Sequence, residues 1–93
     1  MVKQVKAAHI LVKGQGKAQE ILDKINGGED FAKMAGQYSQ CPSKRRGGDL
    51  GWFGRGQMVK PFEKAAFDAE VGKVVGPVQT DFGWHLIKVT GKK

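Results

Sequence analysis

The chain has 93 residues, 40% of them apolar, which allows one domain with a single modest hydrophobic core. It contains no apolar run long enough to span a membrane, no apolar segment near its start that would form a secretory signal, and only one cysteine, Cys41, which excludes an internal disulfide. These features predict a cytoplasmic location unless a longer precursor is trimmed, and the net charge of +7 is typical of a surface that keeps a small protein in solution.

The N-terminal part of the chain predicts a strand followed by a helix. Aliphatic and β-branched residues over 5–13 predict a strand, which ends at the break formed by residues 14–16. Apolar residues at helical spacing predict a helix over 17–26 with one buried stripe of Ala18, Ile21, Leu22 and Ile25. Gly27 and Gly28 end this helix, because glycine accepts the positive φ that helix ends often require.

Two further helical segments are predicted before residue 47. Asp30 can cap a second helix, whose apolar stripe consists of Phe31, Met34, Ala35 and Tyr38. Residues 41–43 predict one short turn of a third helix, because proline is favoured at a first helical position. The first half of the chain therefore places three helical segments after one strand.

The second half predicts a strand, a helix and a hairpin. A short strand covers 49–54, and a helix over 61–72 opens at its proline, closes at its glycine and has an apolar side of Phe62, Ala65, Ala66 and Ala69. Strands over 76–80 and 84–90 flank a tight turn at 81–83. This order predicts one α+β domain over 1–93, with a mainly antiparallel sheet covered by helices.

Two histidines occupy similar surroundings near opposite ends of the chain. Because side chains alternate along a strand, His9 and His85 each lie on an otherwise apolar face, with neighbours Ala7, Leu11, Ile87 and Val89. A polar ring on such a face needs a hydrogen-bond partner. The pattern leaves two interpretations open. The rings are either unrelated core histidines, or they bond to each other if the first and last strands are neighbours.

The stretch 47–62 is rich in glycine, yet it carries the large apolar residues Leu50, Trp52, Phe53, Met58 and Phe62. Tight turns that keep large apolar groups predict that some of these side chains line a small hydrophobic cup. A cup held by rigid backbone suits the binding of an apolar ring that is carried on a polypeptide in water.

Five motifs in this order together resemble the parvulin family of peptidyl-prolyl cis/trans isomerases. They are HILVK over 9–13, YSQCPS over 38–43, GGDLG over 47–51, GQMVKPF over 56–62, and GPVQT to GWHLIKV over 76–89. The chain is similar to the small parvulins that consist of a bare catalytic domain. The resemblance implies the arrangement β-α3-β-α-β2 with a four-stranded, mainly antiparallel sheet, and it implies isomerase activity on X-Pro bonds.

The resemblance also implies a role for individual residues at the substrate pocket. Leu50, Met58 and Phe62 hold the substrate proline ring. Gln57 lies beside the pocket, where it is expected to contact the substrate backbone. Phe82 occupies a position that is serine in some relatives and phenylalanine in others, and here it widens the apolar wall.

For the polar part of the site, the resemblance implies four residues. His9 and His85 are the paired histidines beneath the active site. Thr80 joins their hydrogen-bond network. Cys41 lies at the edge of the site, where relatives carry cysteine or aspartate.

The reaction itself favours a non-covalent mechanism. Rotation about an X-Pro bond breaks amide resonance but no covalent bond, so a catalyst only has to bind the twisted amide better than the planar one. A covalent role for Cys41 would need an activating base that the local sequence does not supply. His9, Cys41 and His85 lack the short spacing of a metal site, so neither a metal nor a cofactor is expected.

The loop after the first strand bears on substrate choice. Parvulins selective for phosphoserine or phosphothreonine before proline carry a longer basic loop there. Residues 12–17 contain two lysines and no arginine, so they lack bidentate phosphate clamps. We therefore expect no phosphate requirement, and the expected partners are proline-containing peptides and unfolded or partly folded proteins.

Two other functions remain open at this point. The first is a non-catalytic, chaperone-like binder of proline-containing segments. The second is a basic protein that associates with nucleic acid or an anionic membrane face through lysines such as Lys24 and Lys33, although residues 44–46 are the only local basic cluster. The sequence shows no dimer interface, so a monomer is expected. Its expected location is the cytoplasm or, in the second case, the periphery of an anionic membrane.

Overall fold

The computed structural model describes residues 2–93. The chain forms strand β1 (Gln4–Val12), helices α1 (Gln15–Asn26) and α2 (Phe31–Tyr38), a short 3-10 helix (Pro42–Arg46), strand β2 (Asp49–Gly54), helix α3 (Lys60–Asp68) and strands β3 (Val74–Thr80) and β4 (Gly83–Lys92). The predicted α+β class and order of elements are confirmed. Among the described residues, no helix combines the length and apolar character that crossing a membrane requires.

The four strands form one antiparallel sheet in the order β2-β1-β4-β3. The first and last strands of the chain are therefore neighbours at the centre of the sheet. In their register, His9 lies opposite Ile87 and Leu11 lies opposite His85. The two histidines thus occupy diagonal positions on adjacent strands, close enough for their side chains to meet.

Different helices bury the two faces of the sheet. On one face, α1 and α2 cover alternate residues of the central strands, and the buried cluster includes Ile10, Val12, Ile21, Leu22, Met34 and Leu86. On the other face, α3 covers a second cluster, which includes Val5, Ala7, Phe53, Phe62, Phe67 and Ile87. His9 follows Val5 and Ala7 on this second face, so the fold brings it beside α3.

The ends of α1 differ slightly from the prediction. The helix begins at Gln15, two residues before the predicted start, because Gly14 is extended and serves as the N-cap. The predicted break at residues 14–16 is therefore partly helical. At the other end, Gly27 keeps a right-handed φ of −83°, and the positive φ of 117° falls on Gly28.

The end of α3 was also predicted wrongly. The helix stops at Asp68 rather than at Gly72, because Ala69 turns to an extended conformation (ψ 150°) and buries its side chain in the core. Gly72 does have a positive φ of 89°, but it belongs to the turn that follows. The predicted apolar side omitted Phe67, which is buried, and included Ala65, which is only half-buried. After this turn, β3 begins two residues before its predicted start.

Candidate active site

An apolar pocket of about 500 Å³ opens beside the start of α3. Leu50, Met58 and Phe62, the three residues predicted to hold a proline ring, all line it. Phe62 is buried and the other two are half-buried, so Phe62 lies deepest. The volume falls within the range of about 300–1,000 Å³ that is typical of small-molecule sites. The predicted hydrophobic cup is therefore present and open.

The other two large apolar residues of 47–62 do not line this pocket. Phe53 is buried in the core beneath α3, where its ring lies 6.0 Å from that of Phe62. Trp52 points away from α3; its ring packs closely on Gly91 and lies 4.5 Å from the Lys93 ammonium. Because successive side chains of a strand point to opposite faces of the sheet, Trp52 and Phe53 lie on different sides of β2.

Gly48 determines how closely β2 approaches β1 at the site. Its φ is +85°, and its carbonyl accepts a hydrogen bond from the backbone N–H of His9 at 2.9 Å. A Cβ at this position would overlap the His9 carbonyl oxygen. Glycine is therefore required here both by the backbone conformation and by the space available.

The two histidine rings bond to each other, which decides between the two interpretations that the sequence allows. His9 Nδ1 and His85 Nδ1 are 3.0 Å apart, and the rings stack with their centroids 5.1 Å apart. Both rings line the pocket, and both meet Phe62 edge to face, at centroid distances of 5.5 Å from His9 and 5.2 Å from His85. The two rings therefore pack against Phe62 and form part of the pocket wall themselves.

Thr80 extends the histidine pair into a hydrogen-bonded chain. Its Oγ1 lies 2.7 Å from His85 Nε2 and accepts a hydrogen bond from the Phe82 N–H at 3.1 Å. Since one Nδ1 must donate to the other, the proton positions on the two rings are linked. If the Thr80 hydroxyl donates to His85 Nε2, then His85 Nδ1 donates to His9 and the His9 proton sits on Nε2. The opposite polarity is equally compatible with the distances.

Burial keeps this pair uncharged. The side chains of His9 and His85 are only 6% and 4% exposed. Burial, together with the neighbouring His85, lowers the pKa of His9 from 6.5 to about 4, and burial also lowers the pKa of His85. Both rings are therefore neutral near pH 7, when each offers one donor and one acceptor.

We expect the free energy of unfolding to decrease as the pH falls below about 6.5. Because the pKa of His9 is lower in the folded protein, the unfolded chain binds the proton first, and stability is lost between pH 6.5 and about 4. At about pH 5, His9 alone is expected to lower the free energy of unfolding by about 2 kcal/mol, and His85 acts in the same direction. Urea unfolding at neutral pH and at about pH 5 measures this difference. The difference in unfolding free energy between the two pH values should be smaller in His9→Gln. If it is not smaller in that variant, His9 is not the source of the pH dependence.

Cys41, predicted to lie at the edge of the site, is one of the residues that line the pocket. It is half-buried and lines the pocket from the N-cap position of the 3-10 helix. Among residues 2–93, no hydrogen bond joins its thiol to a base, although its backbone N–H bonds to Ser39 Oγ at 3.3 Å. The same residues contain no group of three His, Cys, Asp or Glu side chains arranged to hold a metal. The geometry therefore offers Cys41 a polar contact rather than an activated nucleophile.

Gln57 and Phe82 also line the pocket. The Gln57 side-chain oxygen accepts a hydrogen bond from the Gly54 N–H at 2.7 Å, which leaves its amide N–H groups available. Phe82 is 57% exposed, and Lys13 Nζ donates to its carbonyl oxygen at 3.0 Å. Of the nine predicted site residues, only Thr80 does not line the pocket itself, and it is bonded to His85, which does.

The structure adds pocket residues that the sequence reasoning did not assign to the site. These are Leu11, Gln40, Pro42 and Val59. Leu11 could have been predicted from the sequence, because its side chain lies on the same face of β1 as that of His9. Gln40 and Pro42 flank Cys41, but their approach to the pocket depends on the Gln40 N–H bonding to the Leu11 carbonyl at 2.8 Å, which is a long-range contact.

Comparisons with known proteins find relatives along the whole chain. A family model described as the PPIC-type PPIASE domain matches residues 1–93. The foldase protein PrsA of Geobacillus sp. (strain WCH70) is 58% identical over 91 residues, which make up 97% of this chain and 33% of that protein. This chain spans about a third of the length of the curated relatives that it matches.

Solved structures with the same fold fall into two size classes. The crystal structure of peptidylprolyl isomerase (PrsA) from Bacillus anthracis has a TM-score of 0.97 at 45% identity, over 99% of this chain and 43% of that chain. The solution structure of NmPin, the parvulin of Nitrosopumilus maritimus, has a TM-score of 0.86 at 44% identity, over 96% of this chain and 97% of that one. The second match extends over nearly the full length of both chains.

Proposed function

This chain belongs to the family of PPIC-type peptidyl-prolyl isomerases, the parvulins, and we propose that it accelerates cis/trans rotation about X-Pro bonds in peptides and in folding proteins. The observation that carries the proposal is the position of Phe62, which lines an open apolar pocket and packs on both histidine rings. Relatives of similar sequence are named foldase proteins, which supports folding proteins as substrates.

The pocket supplies the main requirement of this reaction. Rotation crosses a barrier of about 18–20 kcal/mol, because the twisted amide loses its resonance. Phe62, Met58 and Leu50 hold the proline ring still while the carbonyl of the preceding residue turns. The twisted amide is less polar than the planar one, so an apolar pocket that excludes water favours it. No bond is made to Cys41.

We assign the buried histidine pair a role that acts mainly through Phe62. Because His9 and His85 are almost fully buried and meet Phe62 edge to face, this is a positioning role in which they hold the aromatic ring and keep the pocket wall uncharged. Thr80 fixes the orientation of His85. The half-buried Cys41 remains near enough to the pocket to contact the turning carbonyl.

Exchange NMR on matched peptides tests the proposal and its independence of phosphate. We expect cis/trans exchange of X-Pro peptides to be accelerated, and peptides with serine or phosphoserine before proline to differ by less than about tenfold. The reason is that Lys13 already donates to the Phe82 carbonyl, and the loop that follows has no arginine to form a bidentate clamp. Exchange at the uncatalysed rate with every peptide would contradict the enzymatic proposal and favour a non-catalytic binder of proline-containing segments. A large gain on phosphorylation would contradict only the predicted substrate preference.

The cellular setting is a separate proposal. We propose that the protein is a monomer and that it resides in the cytoplasm. The single cysteine, which needs no oxidising compartment, supports the proposed location. The net charge of +7 also supports weak attraction to anionic membrane surfaces or nucleic acid, with exposed Lys24 and Lys33 as contributors. Binding to anionic vesicles or DNA that persists at high salt would contradict an interaction of this purely electrostatic kind.

A further inference from the structure

A second, smaller depression of about 260 Å³ adjoins the proline pocket. Its lining consists of Val59 and Pro61 at the start of α3 and of Gln79, Thr80 and Asp81 near the end of β3. Val59 lines both cavities, so they meet at this residue. Thr80 links them a second time, because it lines the smaller cavity and bonds to His85 in the larger one.

The turn between β3 and β4 separates the two cavities. Thr80 pairs with Gly83, so Asp81 and Phe82 are the two residues at its tip. Phe82 lines the proline pocket, whereas Asp81 lines the smaller depression. Two hydrogen bonds hold the tip, from the Phe82 N–H to Thr80 Oγ1 and from Lys13 Nζ to the Phe82 carbonyl oxygen. The carboxylate is therefore presented from an ordered turn.

Within the part of the chain that the structure describes, Asp81 is the only charged residue that lines this depression. Neither of the salt bridges within residues 2–93 involves it, and both lie on α1 among Lys17, Glu20 and Lys24. The protein as a whole carries a charge of +7, so Asp81 is a local negative charge on a chain that is basic overall. A cation that docks here meets a carboxylate without a competing lysine or arginine in the lining.

A bound substrate would extend from one cavity towards the other. An extended chain advances about 3.3–3.6 Å per residue, so a residue next to the proline lies within side-chain reach of the neighbouring depression. Lysine and arginine combine an apolar stem, which suits Val59 and Pro61, with a cationic end, which suits Asp81. We propose that this depression is a specificity subsite for a basic side chain flanking the substrate proline, with Asp81 as its recognition group; this rests on the isomerase function proposed above.

Exchange NMR on a peptide panel tests the subsite. The panel carries lysine, alanine or glutamate at the position before or after proline, with all other residues constant. We expect the catalytic efficiency of the wild type to be about two- to fivefold higher for lysine than for alanine at one of the two positions, and lower for glutamate. The ratio between peptides should fall as salt is added.

Two variants separate recognition from structure. In Asp81→Asn, the lysine-to-glutamate ratio is expected to fall towards one, a change in ratio that a purely structural role would not produce. Asp23→Asn makes the same chemical change on exposed α1 and should keep the wild-type ratio. Equal rates for all peptides in the wild type, or an unchanged ratio in Asp81→Asn, would overturn the subsite while leaving the isomerase function standing. Absence of acceleration with every peptide would overturn both.

Discussion

Replacing Gly48 by alanine is expected to lower the free energy of unfolding by about 3 kcal/mol or more. The left-handed conformation of Gly48 (φ +85°) costs a non-glycine residue about 1–2 kcal/mol. The new methyl group would also overlap the His9 carbonyl oxygen, and relief of this overlap requires movement of β1 beneath the active site. Urea unfolding measures the loss, and the hydrogen bond from the His9 N–H to the Gly48 carbonyl should also lose its protection against amide exchange.

Gly51→Ala is the matched control for this prediction. Gly51 lies three residues further on, within β2, with a similar φ of +72°, but a Cβ there would have no atom within 4 Å. Only the backbone cost of about 1–2 kcal/mol is therefore expected. If Gly48→Ala costs no more than Gly51→Ala, the close approach of β2 to His9 is not as described.

Phe62→Ala is expected to have the second large effect, on both stability and activity. The side chain is 3% exposed and contacts Phe53, His9 and His85, so its truncation should cost about 3–5 kcal/mol. The proline ring would also lose the deepest wall of its pocket. Urea unfolding and X-Pro exchange measured on the same sample report the two losses.

A second substitution distinguishes loss of the fold from loss of the site. Phe62→Leu keeps an apolar side chain in the core and is expected to cost less than Phe62→Ala in stability. It still removes the aromatic ring that the histidines support, so we expect about tenfold slower catalysed exchange. Wild-type activity in folded Phe62→Leu would contradict the role of the ring.

The helices and strands of this fold can be predicted from local sequence patterns wherever one physical rule determines the structure. Asp30 illustrates this, because its carboxylate accepts from the Lys33 N–H at 3.0 Å as an N-cap should. Prediction of the histidine pair also requires the knowledge that β1 and β4 are neighbours in the sheet. Strand adjacency depends on contacts between residues far apart in sequence, so periodicity alone left the two interpretations of His9 and His85 equal.

The errors have similar causes. The predicted end of α3 followed Gly72, but burial of Ala69 against the sheet ends the helix earlier. The depression at Asp81 could not be predicted from the sequence, because it exists only where the β3–β4 turn meets the start of α3. The assignment of Leu50, Met58 and Phe62 to the pocket depends on the family resemblance. The sequence pattern alone predicts only that some apolar residues of 47–62 form a hydrophobic cup.

The most direct test of the central claim compares X-Pro exchange catalysed by the wild type, by Met58→Ala and by Val71→Ala. Met58 is half-buried in the pocket, so its truncation is expected to slow catalysed exchange about tenfold while the fold persists. Val71 is 53% exposed and does not line the pocket, so its truncation should leave the rate unchanged. If the wild type accelerates exchange and Met58→Ala matches it, the proline ring does not bind in this pocket.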